Sequence, residues 1–245
     1  MHYGKDFNLD PTGLLNFSDE IFHPEPDIRR LKDARYVLAA ETDMDGNTPL
    51  YYMYRGVYRK QDWEIFLEHD IRYDITVLVH GTIGREFVKT VGHFHPVKPN
   101  STETYPEYYE VLHGEAIYLL QKNSRSGDVE EILAVEAKKG DKVFIPPGYG
   151  HITINPGDSY LVMANLIERN FSSLYEPFRD KRGAAYYYIQ GENGKGEYTR
   201  NDHYHHSVGL KMVGAPSLPQ PIEAVKGKTL YEGFTANPEA FVILT

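Results

Sequence analysis

The chain has no cysteine among its 245 residues. Disulfide staples and thiolate metal sites are therefore excluded, and any metal has to be held by His, Asp or Glu. A basic run is also missing: 26 Lys and Arg against 35 Asp and Glu leave a formal net charge of −9. A protein that binds by neutralising nucleic-acid phosphates or an anionic membrane surface is not expected from such a chain. A small phosphate ester stays open, because one local group can hold it. No stretch approaches the ~18 apolar residues of a membrane span. The N-terminus, "MHYGKDFNLDPTG", lacks the basic-then-apolar order of a signal peptide, so a cytoplasmic address is expected. There is no Gly-rich phosphate loop, no strand–helix alternation and no internal repeat of about 20–50 residues.

What is present reads mainly as strands. "YDITVLVHGTI", "REFVKTVGHFH", "EYYEVLHGEAIYLLQK", "EEILAVEAKKGDKVFIPPG", "HITINPGDSYLVMANLI" and "AAYYYIQGE" are β-branched or aromatic runs. Turn chemistry separates them, in "GTIG", "KNSRSGD", "KKGD", "PPGYG" and "NPGDS", which indicates an antiparallel sandwich or barrel. Asp27 stands as an N-cap before a helix predicted at about 27–34, and Trp63, Phe66 and Leu67 have helical spacing. From Gly191 the composition shifts toward Gly, Lys, Asn, His and Pro. The expected organisation is a barrel with an N-terminal arm over residues 1–190 and an extension packed on it over 191–245.

Alternate side chains of a strand share a face, so His93 and His95 of "GHFHP" point the same way with Phe94 opposite. An isolated H-x-H is weak on its own. Here it is followed by Glu107, which begins "EYYEVLHGEA", and by "GDKVFIPPGYGHITIN" with His151 opening a strand. The combination resembles the paired motifs of the cupin superfamily. These are an H-x-H, a Glu with six residues between it and a Gly (Glu107 and Gly114), and then G-x5-P-x-G-x2-H-x3-N. The last is matched in full by Gly140, Pro146, Gly148, His151 and Asn155. Phe87 stands where the first motif usually begins with Gly, and the gap from His95 to Glu107 is longer than usual. That gap brings Glu103 and Glu110 into view as alternatives, although Glu110 has the opposite strand parity and Glu103 lies in a loop. The resemblance implies an all-β cupin fold, a double-stranded β-helix or jelly-roll barrel, with a metal held by His93, His95, Glu107 and His151. Three imidazoles and a carboxylate leave open positions on the ion. Such a set suits Fe(II) first, with Mn(II), Ni(II) or Zn(II) as alternatives.

From about Tyr52 to Tyr175 the chain is similar to the cupin-type glucose-6-phosphate isomerases, notably in "PLYY", "TVLVHGTIGREFVKTVGHFHP" and "VFIPPGYGHITIN". That resemblance implies an aldose–ketose isomerase acting on a sugar phosphate, and a homodimer. It implies a phosphate pocket at Thr76, Thr90 and Gly92, a catalytic base at Glu107, and tyrosines at Tyr52, Tyr109 and Tyr175 that contact substrate or relay protons. Two family positions differ: Ile167 replaces a Tyr and Ser173 a His. A cupin dioxygenase or oxalate-type oxidase would use the same four ligands without Thr76 and Thr90; another sugar-phosphate isomerase and a non-enzymatic sugar-binding cupin are further alternatives. "HYHH" at 203–206 has no paired motif and reads as a solvent-exposed cluster.

Overall fold

Ten alternating runs supply the two main sheets. In the computed structural model, which describes residues 2–3, 6–205, 208–215 and 223–245, they form β1 (Asp27–Arg30), β2 (Pro49–Arg55), β3 (Ile71–Leu78), β4 (Glu107–His113), β5 (Glu115–Asn123), β6 (Val129–Lys138), β7 (Lys142–Ile145), β8 (Tyr149–Ile154), β9 (Leu161–Glu168) and β10 (Lys211–Gly214). The first sheet has the order β7-β4-β9-β3-β2-β1 and is antiparallel throughout. The second has the order β8-β5-β6-β10, with β10 added in parallel to β6. Their inner faces share one core, in which Leu78, Val111, Val143 and Met163 of the first sheet join Ile117, Leu119, Ala134 and Ile152 of the second. This is the two-sheet jelly-roll arrangement of a cupin.

Every residue of β9 is buried, because the first sheet is covered on both sides. Its outer face carries Tyr52, Tyr54, Ile75, Val77, Val162 and Ala164, packed with Leu9, Leu15 and Ile21 of the N-terminal arm and with Phe234, Phe241 and Leu244 near the C-terminus. Phe234 and Phe241 are almost wholly buried, each worth about 1.5–3 kcal/mol of apolar transfer. Residues 223–245 thus back the sheet that carries most of the site. The hairpin of Tyr186–Gln190 with Gly196–Arg200 spans the boundary expected at residue 190. No helix among the described residues is long and apolar enough to cross a membrane.

Two local expectations change. The helix expected at about 27–34 is the edge strand β1, in which Ile28 and Arg29 pair with Tyr52 and Tyr51, followed by 3-10 turns at Leu31–Asp33 and Arg35–Val37. Ladder hydrogen bonds and packing against β2 override a modest helical propensity there. In the second case, "REFVKTVGHFH" forms a regular strand only at Glu86–Phe87. The rest is tied by isolated bridges, Lys89 to Ile154, His93 to His151 and Phe94 to Leu174. The helix expected around Trp63 forms as Trp63–Glu68, with Phe66 as its buried residue.

Candidate metal centre and active-site cavity

The segment carrying the two histidines is held in place by backbone and by the absence of side chains. His93 and His151 exchange backbone hydrogen bonds, with N–H···O distances of 3.2 and 3.0 Å. Gly92 has φ +74°, and a Cβ there would meet Ile152 Cγ1 at 2.2 Å and the His151 carbonyl oxygen at 2.8 Å. Glycine is needed at this point for both the left-handed backbone and the close approach. Phe94 points away from the imidazoles, its ring filling the space where a side chain on Gly150 would lie and packing on Phe178 at 4.9 Å. Alternation therefore survives outside a regular ladder, and His93 and His95 face the same centre.

His93, His95, Glu107 and His151 converge so that one ligand atom from each lies within 4.8 Å of all the others. The closest pairs are His93 Nε2 to His95 Nε2 at 3.1 Å, His151 Nε2 to Glu107 Oε2 at 3.3 Å, and His95 Nε2 to Glu107 Oε2 at 3.4 Å. Two ligands at right angles on an ion about 2.1 Å away stand about 3.0 Å apart, so these separations suit neighbouring positions around one cation. The donor chemistry agrees. His95 Nδ1 is 2.8 Å from the Tyr105 carbonyl oxygen; a carbonyl only accepts, so Nδ1 carries the hydrogen and Nε2 turns its lone pair inward. Glu107 Oε2 is buried with no hydrogen-bond partner, which leaves lone pairs facing lone pairs unless a cation lies between them. These residues fit a divalent metal.

Burial supports the same state. It pushes the His151 imidazole down to about 4, with the opposing charge of Glu107 and the like charge of His95 as smaller influences. His93 is driven well below its ordinary value by burial, then by His151 and His95. Both are therefore neutral at pH 7, as a metal ligand must be. Burial would raise Glu107, but at acid pH, where the imidazoles take up protons, His95 and His151 together with the Tyr109 hydroxyl more than offset it and hold the carboxyl below its usual range. Glu103 is exposed in its loop. Glu110 lies on the outer face, where it accepts the Leu230 N–H at 2.7 Å and faces Lys142.

The centre opens into a cavity of about 370 Å³. Its walls are alternate residues of neighbouring strands: Tyr51, Met53 and Arg55 of β2; Arg72, Asp74 and Thr76 of β3; Met163, Asn165 and Ile167 of β9. Thr76, Thr90, Gly92, Tyr109 and Tyr175 also line it, together with His93, Glu107 and His151. Thr90 Oγ1 accepts the Thr153 N–H at 3.0 Å, so its own proton is left to donate. The Tyr109 hydroxyl lies 3.2 Å from His151 Nε2, and burial followed by the Glu107 charge pushes it well above its ordinary value. Ile167 and Ser173 both face the cavity, so the two departures from the family pattern fall on its wall.

Tyr52 does not line the cavity. It points to the outer face with Tyr54, packed in the second core, and Tyr51 takes the inner position. Strand alternation allows one of two adjacent tyrosines on each face, and β2 turns Tyr51 inward. The Tyr51 hydroxyl accepts the Val91 N–H at 3.3 Å. Burial pushes it up to about 12, so at neutral pH it keeps a proton to donate. Three arginines that the sequence reading left out, Arg29, Arg55 and Arg72, also reach the cavity. Thr76 held the signal for one of them, since Arg72 and Asp74 share its strand parity. Within "HYHH", His203 to His205 join no metal-binding cluster of described residues, and His206 lies outside those residues.

The cavity belongs to a stretch with recognisable relatives. Residues 28–207 match the family described as glucose-6-phosphate isomerase (GPI). The glucose-6-phosphate isomerase of Thermococcus litoralis is 28% identical over 192 residues, covering 76% of this chain and 92% of the relative. That of Thermococcus kodakarensis is 27% identical over 187 residues, covering 74% and 88%. Among solved structures, an oxalate oxidase superposes with a TM-score of 0.34 at 17% identity, covering 43% of this chain and 45% of that one. Since the family match takes in well over half of the sequence and the whole candidate site, the chain belongs to the glucose-6-phosphate isomerase family.

Proposed function

We propose that the protein interconverts glucose 6-phosphate and fructose 6-phosphate, with one divalent transition metal held by His93, His95, Glu107 and His151. Fe(II) is the preferred ion, with Mn(II), Ni(II) or Zn(II) as alternatives, on the ground of an open nitrogen-and-carboxylate donor set. The observation that carries the reading is the meeting, in one cavity, of that donor set with the Thr90–Gly92 segment, in a chain of this family. A homodimer and a cytoplasmic address go with the reading.

Isomerisation moves one hydrogen between C2 and C1 of the open-chain sugar. When bound, the ion supplies Lewis-acid stabilisation for the negative charge that builds on the sugar oxygens. Glu107, loosely held at the ion or released from it when substrate binds, is assigned to take the proton from C2, becoming a carboxylic acid, and to return it to C1, becoming a carboxylate again. Tyr109 and Tyr51 keep their phenolic protons at neutral pH and can hydrogen-bond to the two sugar oxygens, a phenol giving its proton to O1 as it takes the proton that O2 releases, so that it is unchanged at the end. Thr76 and Thr90 offer hydroxyl donors and Gly92 an unobstructed backbone approach to the phosphate. Tyr175, whose ring lies 5.7 Å from that of His93, bounds the site on the His93 side.

Conversion of fructose 6-phosphate in deuterium oxide tests this route. Glucose 6-phosphate carrying deuterium at C2 is expected under slow turnover. Product without any would count against proton transfer by Glu107 and for a hydride shift. The two tyrosines supply a second check. Tyr51→Phe is expected to lower kcat/KM about tenfold, the cost of a hydrogen bond to a charged group, whereas Tyr52→Phe should stay within about twofold, as outward substitutions usually do. Equal losses in steady-state assays would contradict the inward assignment of Tyr51.

A further inference from the structure

Three guanidinium groups line the cavity, and they are not equivalent. Arg72 is held by Asp74, with Nε to Oδ1 and Oδ2 at 2.8 and 3.0 Å. Arg55 lies 3.9 Å from Asp74 and 3.5 Å from Asp27. Arg29 is different: among the described residues no carboxylate oxygen comes within 4.0 Å of its guanidinium, and it makes no side-chain hydrogen bond to them. It is half-buried on the edge strand β1, directly across the ladder from Tyr51. Burial works against its charge, and the groups that favour it stand close by: Tyr51, Tyr175 and Tyr36, with Asp33 behind them.

We propose that Arg29 is the cation that binds the phosphate dianion of the substrate, closing the pocket of neutral donors at Thr90 and Gly92. The inference rests on the sugar-phosphate reading above and adds to it a residue outside the motifs that carry the family resemblance. Position favours the phosphate end. Tyr51, the cross-strand partner of Arg29, holds the N–H of Val91, between Thr90 and Gly92. The compensated pair Arg72–Asp74 stands instead beside Asn165 and Ile167, its partners across β9. Charge favours it too: hydroxyl and amide donors alone leave two negative charges unmatched, and a chain of net charge −9 repels a dianion unless a local cation offsets it. A guanidinium partly withdrawn from water without a counter-ion gains from a phosphate, whose oxygens match its paired N–H donors.

The test uses the full, metal-loaded chain with inorganic phosphate in calorimetry and fructose 6-phosphate in turnover. Arg29→Met is expected to raise the Kd for phosphate and the KM for fructose 6-phosphate about tenfold or more, with kcat lowered far less. Arg29→Lys, which keeps the charge but not the fork, should fall between. Circular dichroism of both variants should match that of the unmodified protein, since Arg29 lies on an edge strand; if Arg29→Met misfolds, Arg29→Lys and Arg29→Gln carry the comparison. A Kd for phosphate unchanged within about twofold in the folded Met or Gln variant would overturn the assignment of Arg29, and so would an unmodified protein that binds no phosphate. A protein that binds phosphate through Arg29 yet fails to turn over fructose 6-phosphate would instead leave Arg29 standing and overturn the isomerase reading.

Discussion

Replacing Glu107 with Gln is expected to lower kcat by about 10²–10⁴, the range that a positioned general base supplies, while leaving the fold in place. The substitution keeps the side-chain volume at a position only 2% exposed, and the backbone pairing of Glu107 with Ile145 does not involve the side chain. What changes is chemical. The carboxylate Oε2, 3.3 and 3.4 Å from the imidazoles of His151 and His95, becomes a neutral amide that cannot accept a proton from carbon. Metal binding weakens as well, because one anionic ligand is lost, so the assay is run with excess metal. Activity that stays low at saturating metal assigns the loss to the base; activity that recovers fully would show that Glu107 acts only as a ligand. Circular dichroism and the melting temperature check that the variant is folded.

The candidate ligand set was legible through the cupin resemblance, and strand geometry supports parts of it. His93 and His95 need only alternation to share a face, and the Pro146–Gly148 turn sets where His151 enters its strand. Asn155, the last residue of that motif, turns out to serve the fold: its amide donates to the carbonyls of Val79 at 3.1 Å and Ser159 at 2.9 Å, and its Oδ1 accepts the Gly157 N–H at 3.1 Å. Gly92 was read as an approach for phosphate. Its first requirement is internal, since Ile152 and the His151 backbone occupy the space of any side chain there.

Other features depend on which strands meet and in what register, and a single sequence does not display that. Tyr51 and Tyr52 are chemically equal neighbours; the choice between them follows from the packing of β2 on β3, where Met53 stands opposite Thr76. The three cavity arginines lie on three different strands, at positions 29, 55 and 72, so no basic run announces them. Alternation applied outward from Thr76 would have recovered Asp74 and Arg72, but Arg29 could not be reached while its segment was read as helix. The short 3-10 turns that follow β1 explain that misreading: the acceptor for the backbone N–H of Arg30 is Asp33 Oδ2, at 3.1 Å, a local contact of helical spacing next to a strand.

Removal and return of the metal test the central claim most directly. His95 turns its Nε2 lone pair inward and Glu107 brings a buried carboxylate oxygen without a hydrogen-bond partner, an arrangement that is unfavourable without a cation and useful with one. Lewis-acid stabilisation of several kcal/mol corresponds to a rate factor on the order of 10³. Protein stripped by chelation is therefore expected to lose fructose 6-phosphate isomerisation by about that factor in a coupled assay. Stoichiometric Fe(II) or Mn(II) should restore it, and reloading a His93→Ala, His151→Ala double variant should not. Undiminished turnover by fully stripped protein would contradict the account.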